Sequence, residues 1–150
     1  MGGGNPELQQ LSEQLQELDA QQESLEAEIE ELQDEQTEIT DAVDALESLE
    51  TGSTVQVPVG GGAYVRATVD DIDEVVVDVG GGFAAEQEQE DATDTLQEKR
   101  NRLSERIDEV EAEMDEVESE MDEVEQRAQQ VQQQAQQQAM QQMQQQQNDE

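Results

Sequence analysis

The fold is decided by residues 55–87, which read VQVPVGGGAYVRATVDDIDEVVVDVGGGFAAEQ. Valine-rich runs lead twice into three glycines, at 60–62 and at 80–82, so the stretch contains an internal repeat. Alternation of apolar and polar residues is typical of a strand with one buried face, and glycine supplies the positive φ that a tight reversal needs. The stretch therefore predicts two similar β-hairpins.

Heptad repeats on both sides of the hairpins predict two coiled-coil helices. The first covers 7–51, with Asn5 as its N-cap, Pro6 at the first helical position and Gly52 in the left-handed position beyond its end. The second covers 88–131. The seam positions of the two helices are Leu8, Leu11, Leu15, Leu18, Gln22, Leu25, Ile29, Leu32, Gln36, Ile39, Val43 and Leu46, then Leu96, Arg100, Leu103, Ile107, Val110, Met114, Val117, Met121, Val124, Ala128 and Val131, with Ala135 as a further position.

The two helices are predicted to pair with each other in antiparallel orientation. Both adjoin the same short hairpin segment, so folding back is the shortest way to bury both apolar stripes. Counting equally from that segment places Gln36 near Arg100 and Leu103, as a polar layer that fixes the register, and places Leu8 near Val131. A parallel dimer of two chains is the rival interpretation.

Residues 132–150 are rich in glutamine and have no counterpart on the first helix. Their low complexity favours a frayed, solvated tail. Met140 and Met143 support a second interpretation, because flexible thioether side chains adapt to many apolar surfaces and suit a promiscuous binding segment. At the other end of the chain, residues 1–6 are expected to form a disordered leader.

The composition excludes an ordinary globular core. The 150 residues carry 41 acidic and 6 basic side chains, a net charge of −35, and their only aromatic residues are Tyr64 and Phe83. Apolar residues must therefore be concentrated in narrow seams. Such a charge repels itself unless salt screens it, and at ~1 M ionic strength the Debye length is about 3 Å. The composition is typical of cytosolic proteins from organisms that accumulate molar salt.

Several kinds of chemistry are excluded by the residues present. The chain has no cysteine and no histidine, which removes disulfides, thiolate nucleophiles and the usual zinc sites. Neither glycine triplet continues into the Lys-Ser or Lys-Thr of a phosphate loop, and the acidic cluster at 70–74 lacks the spacing of an EF-hand. Nucleic-acid binding is excluded by the charge, and no apolar run has membrane length. We therefore expect no catalytic, cofactor or metal site, and a soluble, cytoplasmic protein.

The segment VQVPVGGGAYVRATVDDIDEVVVDVGGG, placed between two heptad helices, resembles the archaeal prefoldin α subunit, and two hairpins rather than one favour the α over the β type. The resemblance implies an α+β fold, in which a long antiparallel helical coiled coil is joined by two β-hairpins, over 53–87, that oligomerise into a β-barrel. It also implies an ATP-independent holdase of two such chains and four prefoldin β-type subunits. Unfolded client proteins would be held at the coiled-coil tips and passed to a group II chaperonin.

Two groups of candidate site residues follow from the resemblance and from the apolar pattern. Clients would be bound at the tips by Leu8, Leu11, Leu15, Val131, Ala135, Ala139, Met140 and Met143. The shared barrel would be built by Val55, Val57, Val59, Tyr64, Val65, Val69, Val75, Val77, Val79 and Phe83. The alternative functions are a structural coiled-coil spacer and an acidic nucleic-acid mimic that binds a basic protein.

Overall fold

A computed structural model describes residues 5–148. The elements are helix α1 (Pro6–Ser48), strands β1 (Thr54–Gly60), β2 (Ala63–Thr68), β3 (Val75–Gly80) and β4 (Phe83–Gln87), and helix α2 (Gln89–Asn148). The expected α+β class, with two hairpins between two helices, is confirmed. The chain divides into two compact units, Glu31–Ile107 and the flanking segments up to Glu30 and from Asp108.

Helix α1 begins as the sequence predicts. Pro6 is its first residue, and the backbone N–H of Glu7 donates to Oδ1 of Asn5 at 3.0 Å. The Asn5 side chain thus satisfies one of the N–H groups that have no partner in the first helical turn. Of the predicted leader, residues 1–4 lie outside the described residues, whereas residues 5 and 6 form this helix start.

The end of α1 differs from the prediction. The helix ends at Ser48, and Gly52 belongs instead to a tight turn in which the Ser53 N–H donates to the carbonyl of Glu50 at 3.0 Å. Gly52 has a φ of +89° and occupies the third position of that turn, where a type II turn requires a positive φ. The positive φ was predicted correctly, but it serves the entry into β1 and not the helix cap.

The carbonyl groups at the end of α1 are satisfied from the start of α2. The side-chain amide of Gln89 donates to the carbonyls of Leu46 and Leu49, the latter at 3.0 Å. The backbone N–H of the same residue donates to Oδ1 of Asp73 at 3.4 Å. Gln89 therefore connects the end of one helix to the start of the other, where helix ends would otherwise lack partners.

The two hairpins have the same construction. β1 pairs antiparallel with β2 and β3 with β4, giving two separate two-stranded sheets with Val57 opposite Val65 and Val77 opposite Ala85. In each loop the two central glycines have positive φ: +61° and +80° at Gly61 and Gly62, and +64° and +81° at Gly81 and Gly82. Two successive positive φ values define the type I′ turn, whose twist matches that of the strands. The predicted pair of hairpins with glycine turns is confirmed.

In the unit Glu31–Ile107, hydrogen bonds across the helix pair fix its register. Nε2 of Gln36 donates to the Arg100 carbonyl at 3.2 Å and to Oγ of Ser104 at 2.7 Å, and Nη1 of Arg100 donates to Oγ1 of Thr40 at 3.1 Å. Later residues of α1 thus meet earlier residues of α2, which is the antiparallel arrangement within one chain. The predicted polar layer is confirmed, and the parallel pairing is not adopted here.

In the other unit, the start of α1 lies beside a late part of α2. Nη2 of Arg127 lies 3.3 Å from Oε1 of Glu7, and Val110, at the other end of this segment of α2, has no exposed surface. Throughout residues 5–131, every predicted seam residue is buried or half-buried. Beyond Val131, every residue to Asn148 is exposed although the backbone stays helical. The buried seam therefore ends at Val131 within a helix that continues.

Candidate functional site: apolar surfaces of the hairpins and of α2

The first hairpin exposes most of its apolar side chains. Exposed fractions are 44% for Val57, 62% for Val59, 61% for Tyr64 and 53% for Val65, and no side chain of β1 or β2 is buried. A two-stranded sheet is marginally stable by itself, and its unpaired edges present free N–H and C=O groups. An apolar surface on such strands is typical of a site that another chain covers.

The second hairpin has one covered face. Val77 is only 6% exposed, and Val75 beside it on the same face is half-buried. Along β3 runs a largely apolar groove of about 410 Å³, and its helical wall is formed by Ala42, Ala45, Leu46, Leu96 and Lys99. The burial of Val77 shows that this face of the hairpin is covered by its own chain.

The opposite face of the second hairpin is exposed and includes a residue that the sequence analysis missed. On that face Val76 is 70% exposed; near the loop, Val79 and Phe83 are 46% and 73% exposed. Val76 is absent from the predicted barrel residues, which in β3 are Val75, Val77 and Val79. The run of three valines at 75–77 indicates this second apolar face, because a strand that is apolar on both faces has two surfaces to cover.

The predicted barrel residues therefore fall into different environments. Val57, Val59, Tyr64, Val65, Val79 and Phe83 are exposed, Val55, Val69 and Val75 are half-buried, and Val77 is buried in its own chain. The exposed members are accessible to another chain, whereas Val77 is covered by its own chain.

The predicted client-binding residues also divide into two sets. Leu11 and Val131 are 6% and 7% exposed, and Leu8 and Leu15 are half-buried, so all four contribute to the seam. The members beyond the seam are exposed: Ala135, Ala139, Met140 and Met143, with the two methionines 68% and 69% exposed. Of the predicted client-binding residues, those that are exposed therefore all lie on α2.

The chemistry of these surfaces is that of apolar contact. Among the described residues there is no group of three metal-ligating side chains, and neither helix has a stretch apolar enough to cross a membrane. Ion pairs are peripheral: Arg102 and Glu98 lie 4.0 Å apart with both side chains more than 70% exposed. An exposed pair of that kind contributes little to stability.

An antiparallel helix pair that carries two partly uncovered hairpins defines a class of coiled-coil subunit. The family model for the prefoldin subunit matches residues 18–134, and the chain belongs to the prefoldin family, which comprises molecular chaperones and not enzymes.

Curated relatives place the chain near α subunits from salt-loving archaea. Prefoldin subunit alpha of Halorubrum lacusprofundi is 60% identical over 103 residues, 69% of this chain and 68% of the relative. The corresponding subunit of Halobacterium salinarum is 64% identical over 99 residues, 66% and 64% of the two chains, and that of Haloarcula marismortui 54% identical over 97 residues, 65% and 63%. The chain spans about two thirds of the length of these relatives.

Solved structures that are similar to this chain include the following two. Filamentous PFD from Methanocaldococcus jannaschii, determined by cryo-electron microscopy, superposes with a TM-score of 0.67 at 31% identity, over 75% of this chain and 96% of that chain. The prefoldin beta subunit from Thermococcus strain KS-1 gives a TM-score of 0.56 at 22% identity, over 87% and 96%, and this likeness supports the fold alone. The family model and the curated relatives confirm the sequence resemblance to prefoldin α subunits.

Proposed function

We propose that the chain is a subunit of an ATP-independent holdase, which binds unfolded proteins and prevents their aggregation. The observation that supports this proposal is the distribution of exposed apolar side chains. They occur on strands with open edges and on the helical residues beyond Val131, whereas the predicted seam residues up to Val131 are covered. A structural spacer needs the seam but has no use for the exposed methionines.

The hairpins would join this chain to others. In the proposed particle, two copies combine with four prefoldin β-type subunits, and strands from different chains complete a β-barrel. Support comes from the open edges of both sheets and from the exposure of Val59, Tyr64, Val65, Val76 and Phe83. Association removes these side chains from water, which stabilises the particle by about 25 cal/mol for each Å² of apolar surface.

The end of α2 would make the first contact with clients. Ala135, Ala139, Met140 and Met143 are accessible without any rearrangement, and methionine side chains adapt to irregular apolar surfaces. No charged residue occurs between Arg127 and Asp149, so an acidic client meets little local repulsion. Leu8, Leu11, Leu15 and Val131 would contribute only when the helix ends separate, because the seam covers them in the folded chain.

The proposed function also includes what happens to a bound client and where in the cell the protein acts. A bound client would be passed to a group II chaperonin, and the protein would act in a cytoplasm rich in salt. The net charge of −35 supports the second point, since only concentrated salt screens repulsion of that size. The family resemblance supports the first.

The test measures aggregation of a denatured model client in concentrated KCl, without nucleotide, in the presence of the full chain and its β-type partner. We expect suppression at a near-stoichiometric ratio. A truncation after Gln130 should keep the particle mass but lose most of the protection. Met140→Gln with Met143→Gln should give a milder loss, and the matched control, Met140→Leu with Met143→Leu, should retain protection because it keeps the apolar surface.

The outcomes separate the functions. An intact particle that never protects a client would reject the holdase in favour of a structural spacer. Tight binding to a basic DNA-binding protein, without protection of clients, would instead indicate an acidic nucleic-acid mimic. Full protection by the truncated chain would show that residues beyond Gln130 are merely solvated, and would move client binding elsewhere on the particle.

A further inference from the structure

The basic residues of this acidic chain are concentrated in one short stretch. Of the six, four lie within residues 99–106, which read KRNRLSER and contain a single acidic residue, Glu105. Four basic residues against one acidic residue give the stretch itself a net charge of +3, in a protein whose net charge is −35. An even distribution would have spread six cations along the chain, where each could have paired with carboxylates nearby.

Two of these cations are already engaged. Nη1 of Arg100 turns into the polar layer of the seam, where it donates to Oγ1 of Thr40 at 3.1 Å, and Arg106 has an interaction partner. Lys99 and Arg102 differ, because they lie about one helical turn apart on α2 and line a cavity of about 250 Å³. The other walls of this cavity are Asp78, Val79 and Gly80 of β3, together with Gln87 and Thr95.

Lys99 and Arg102 are poorly neutralised within the chain. Arg102 lies 4.0 Å from Glu98, with both side chains more than 70% exposed, which is a weak contact. Half-buried Lys99 makes no hydrogen bond or ion pair with any residue in the described range 5–148. The nearby carboxylate of Asp78 accepts the N–H of Gly80 at 2.9 Å and so caps its own turn. Lys99 therefore remains available to pair with an incoming carboxylate.

We propose that Lys99 and Arg102 form a docking surface for the acidic surface of a second copy of this chain. The inference rests on the proposed assembly and adds which face of the chain meets the other copy. Charge complementarity supports the choice of occupant, because a second copy carries 41 carboxylate side chains. The position of the cavity supports this occupant as well, because the cavity adjoins the exposed surface of the second hairpin. Val79 lines the cavity and is 46% exposed.

The salt that this protein needs does not abolish such a contact. At ~1 M ionic strength the Debye length is about 3 Å, close to the separation of two charges in direct contact. Repulsion between carboxylates many ångströms apart is then almost completely screened, while a contact pair keeps part of its attraction. In concentrated salt, the patch therefore acts as a short-range orienting contact between two acidic chains.

The test compares two variants of the full chain with equal net charge. Lys99→Gln with Arg102→Gln removes two positive charges from the patch, and Arg127→Glu, which lies in the other unit, changes the net charge by the same amount. Sedimentation equilibrium at about 2 M KCl measures self-association, and circular dichroism verifies that each variant keeps its helices. We expect the Kd of self-association to rise roughly tenfold for the patch variant and less than about twofold for Arg127→Glu.

Each alternative outcome overturns the inference. Equal weakening in both variants would assign the effect to net charge, and no weakening in either, or a wild-type chain that stays monomeric, would leave the patch without this role. A loss confined to mixtures with the β-type chain would place a different chain on the patch. Client protection, measured on the same preparations of wild-type particle, decides the holdase proposal independently of these results.

Discussion

The two hairpins share a sequence repeat and a loop geometry, yet they have different surroundings. Val77 of the second hairpin is 6% exposed, whereas Val57, at the corresponding position of the first, is 44% exposed. The difference arises from what lies next to each sheet. The second hairpin lies beside Ala42, Ala45 and Leu46 of α1, whereas no side chain of the first hairpin is buried. The same strand pattern can therefore build an internal core or an external surface, depending on what the rest of the chain places under it.

The largest expected effect on the two hairpins follows from lowering the salt concentration. Lowering KCl from about 3 M to about 0.05 M should remove much of the helical circular dichroism, because pairs such as Glu111 and Asp115 repel each other at i,i+4. The second hairpin should then lose its support, so the backbone amide of Val77 should exchange with solvent about as fast as that of Val57. Helical signal and exchange rates that do not change with salt would contradict this account.

The next effect comes from shortening the corresponding valines. Val77→Ala removes two buried methyl groups and should lower the free energy of unfolding by about 2 kcal/mol. Val57→Ala, made at an exposed position, should change it by less than about 0.5 kcal/mol. Urea unfolding of the isolated chain in about 2 M KCl, followed by circular dichroism, measures both. Equal losses would mean that the first hairpin is also packed against its own chain.

A smaller effect is expected when the exposed face of the first hairpin is made polar. Val57→Thr with Val65→Thr should leave the isolated chain as stable as before, because these side chains face water, but should weaken assembly with the β-type chain about tenfold, or about 1.4 kcal/mol. Gln56→Thr, on the other face of β1, is the control and should have no such effect. The measurement is a titration followed by light scattering; undiminished assembly would remove this face from the proposed barrel.

The smallest effect concerns the feature that the hairpins share. Gly61→Asn and Gly81→Asn should each raise the stability of the chain by up to about 0.5 kcal/mol, because Asn-Gly is a favoured pair in a type I′ turn and asparagine restricts the unfolded chain. At Gly81 an added Cβ would lie 3.6 Å from the Phe83 ring, which is ordinary van der Waals contact. Thermal unfolding should show two shifts of the same sign, and opposite signs would show that the loops are not equivalent.

Periodicity made most of the fold predictable. Heptad spacing identified the seam to Val131, and equal counting from the hairpins placed Gln36 beside Arg100, where the structure has a hydrogen bond of 3.2 Å. Both inferences depend on local geometry, since a helix repeats every 3.6 residues and a short connection leaves one way to fold back. The start of α1 at Pro6 could also be predicted from the sequence, because helix capping depends on residues that are neighbours along the chain.

By itself, the sequence determined the helices, the glycine turns and the acidic character of the surface, and it favoured antiparallel pairing over a parallel dimer. These follow from spacing along the chain or from composition. Tertiary structure decided the roles of individual residues. It assigned Gly52 to a turn beyond the helix, Val77 to the chain's own core and Val76 to the exposed face, and it left Lys99 unpaired beside β3. The physical reason is that burial and pairing depend on side chains distant in sequence, such as Ala42 and Ala45 against β3. A two-residue period shows that a strand has two faces, but not which of them the protein covers.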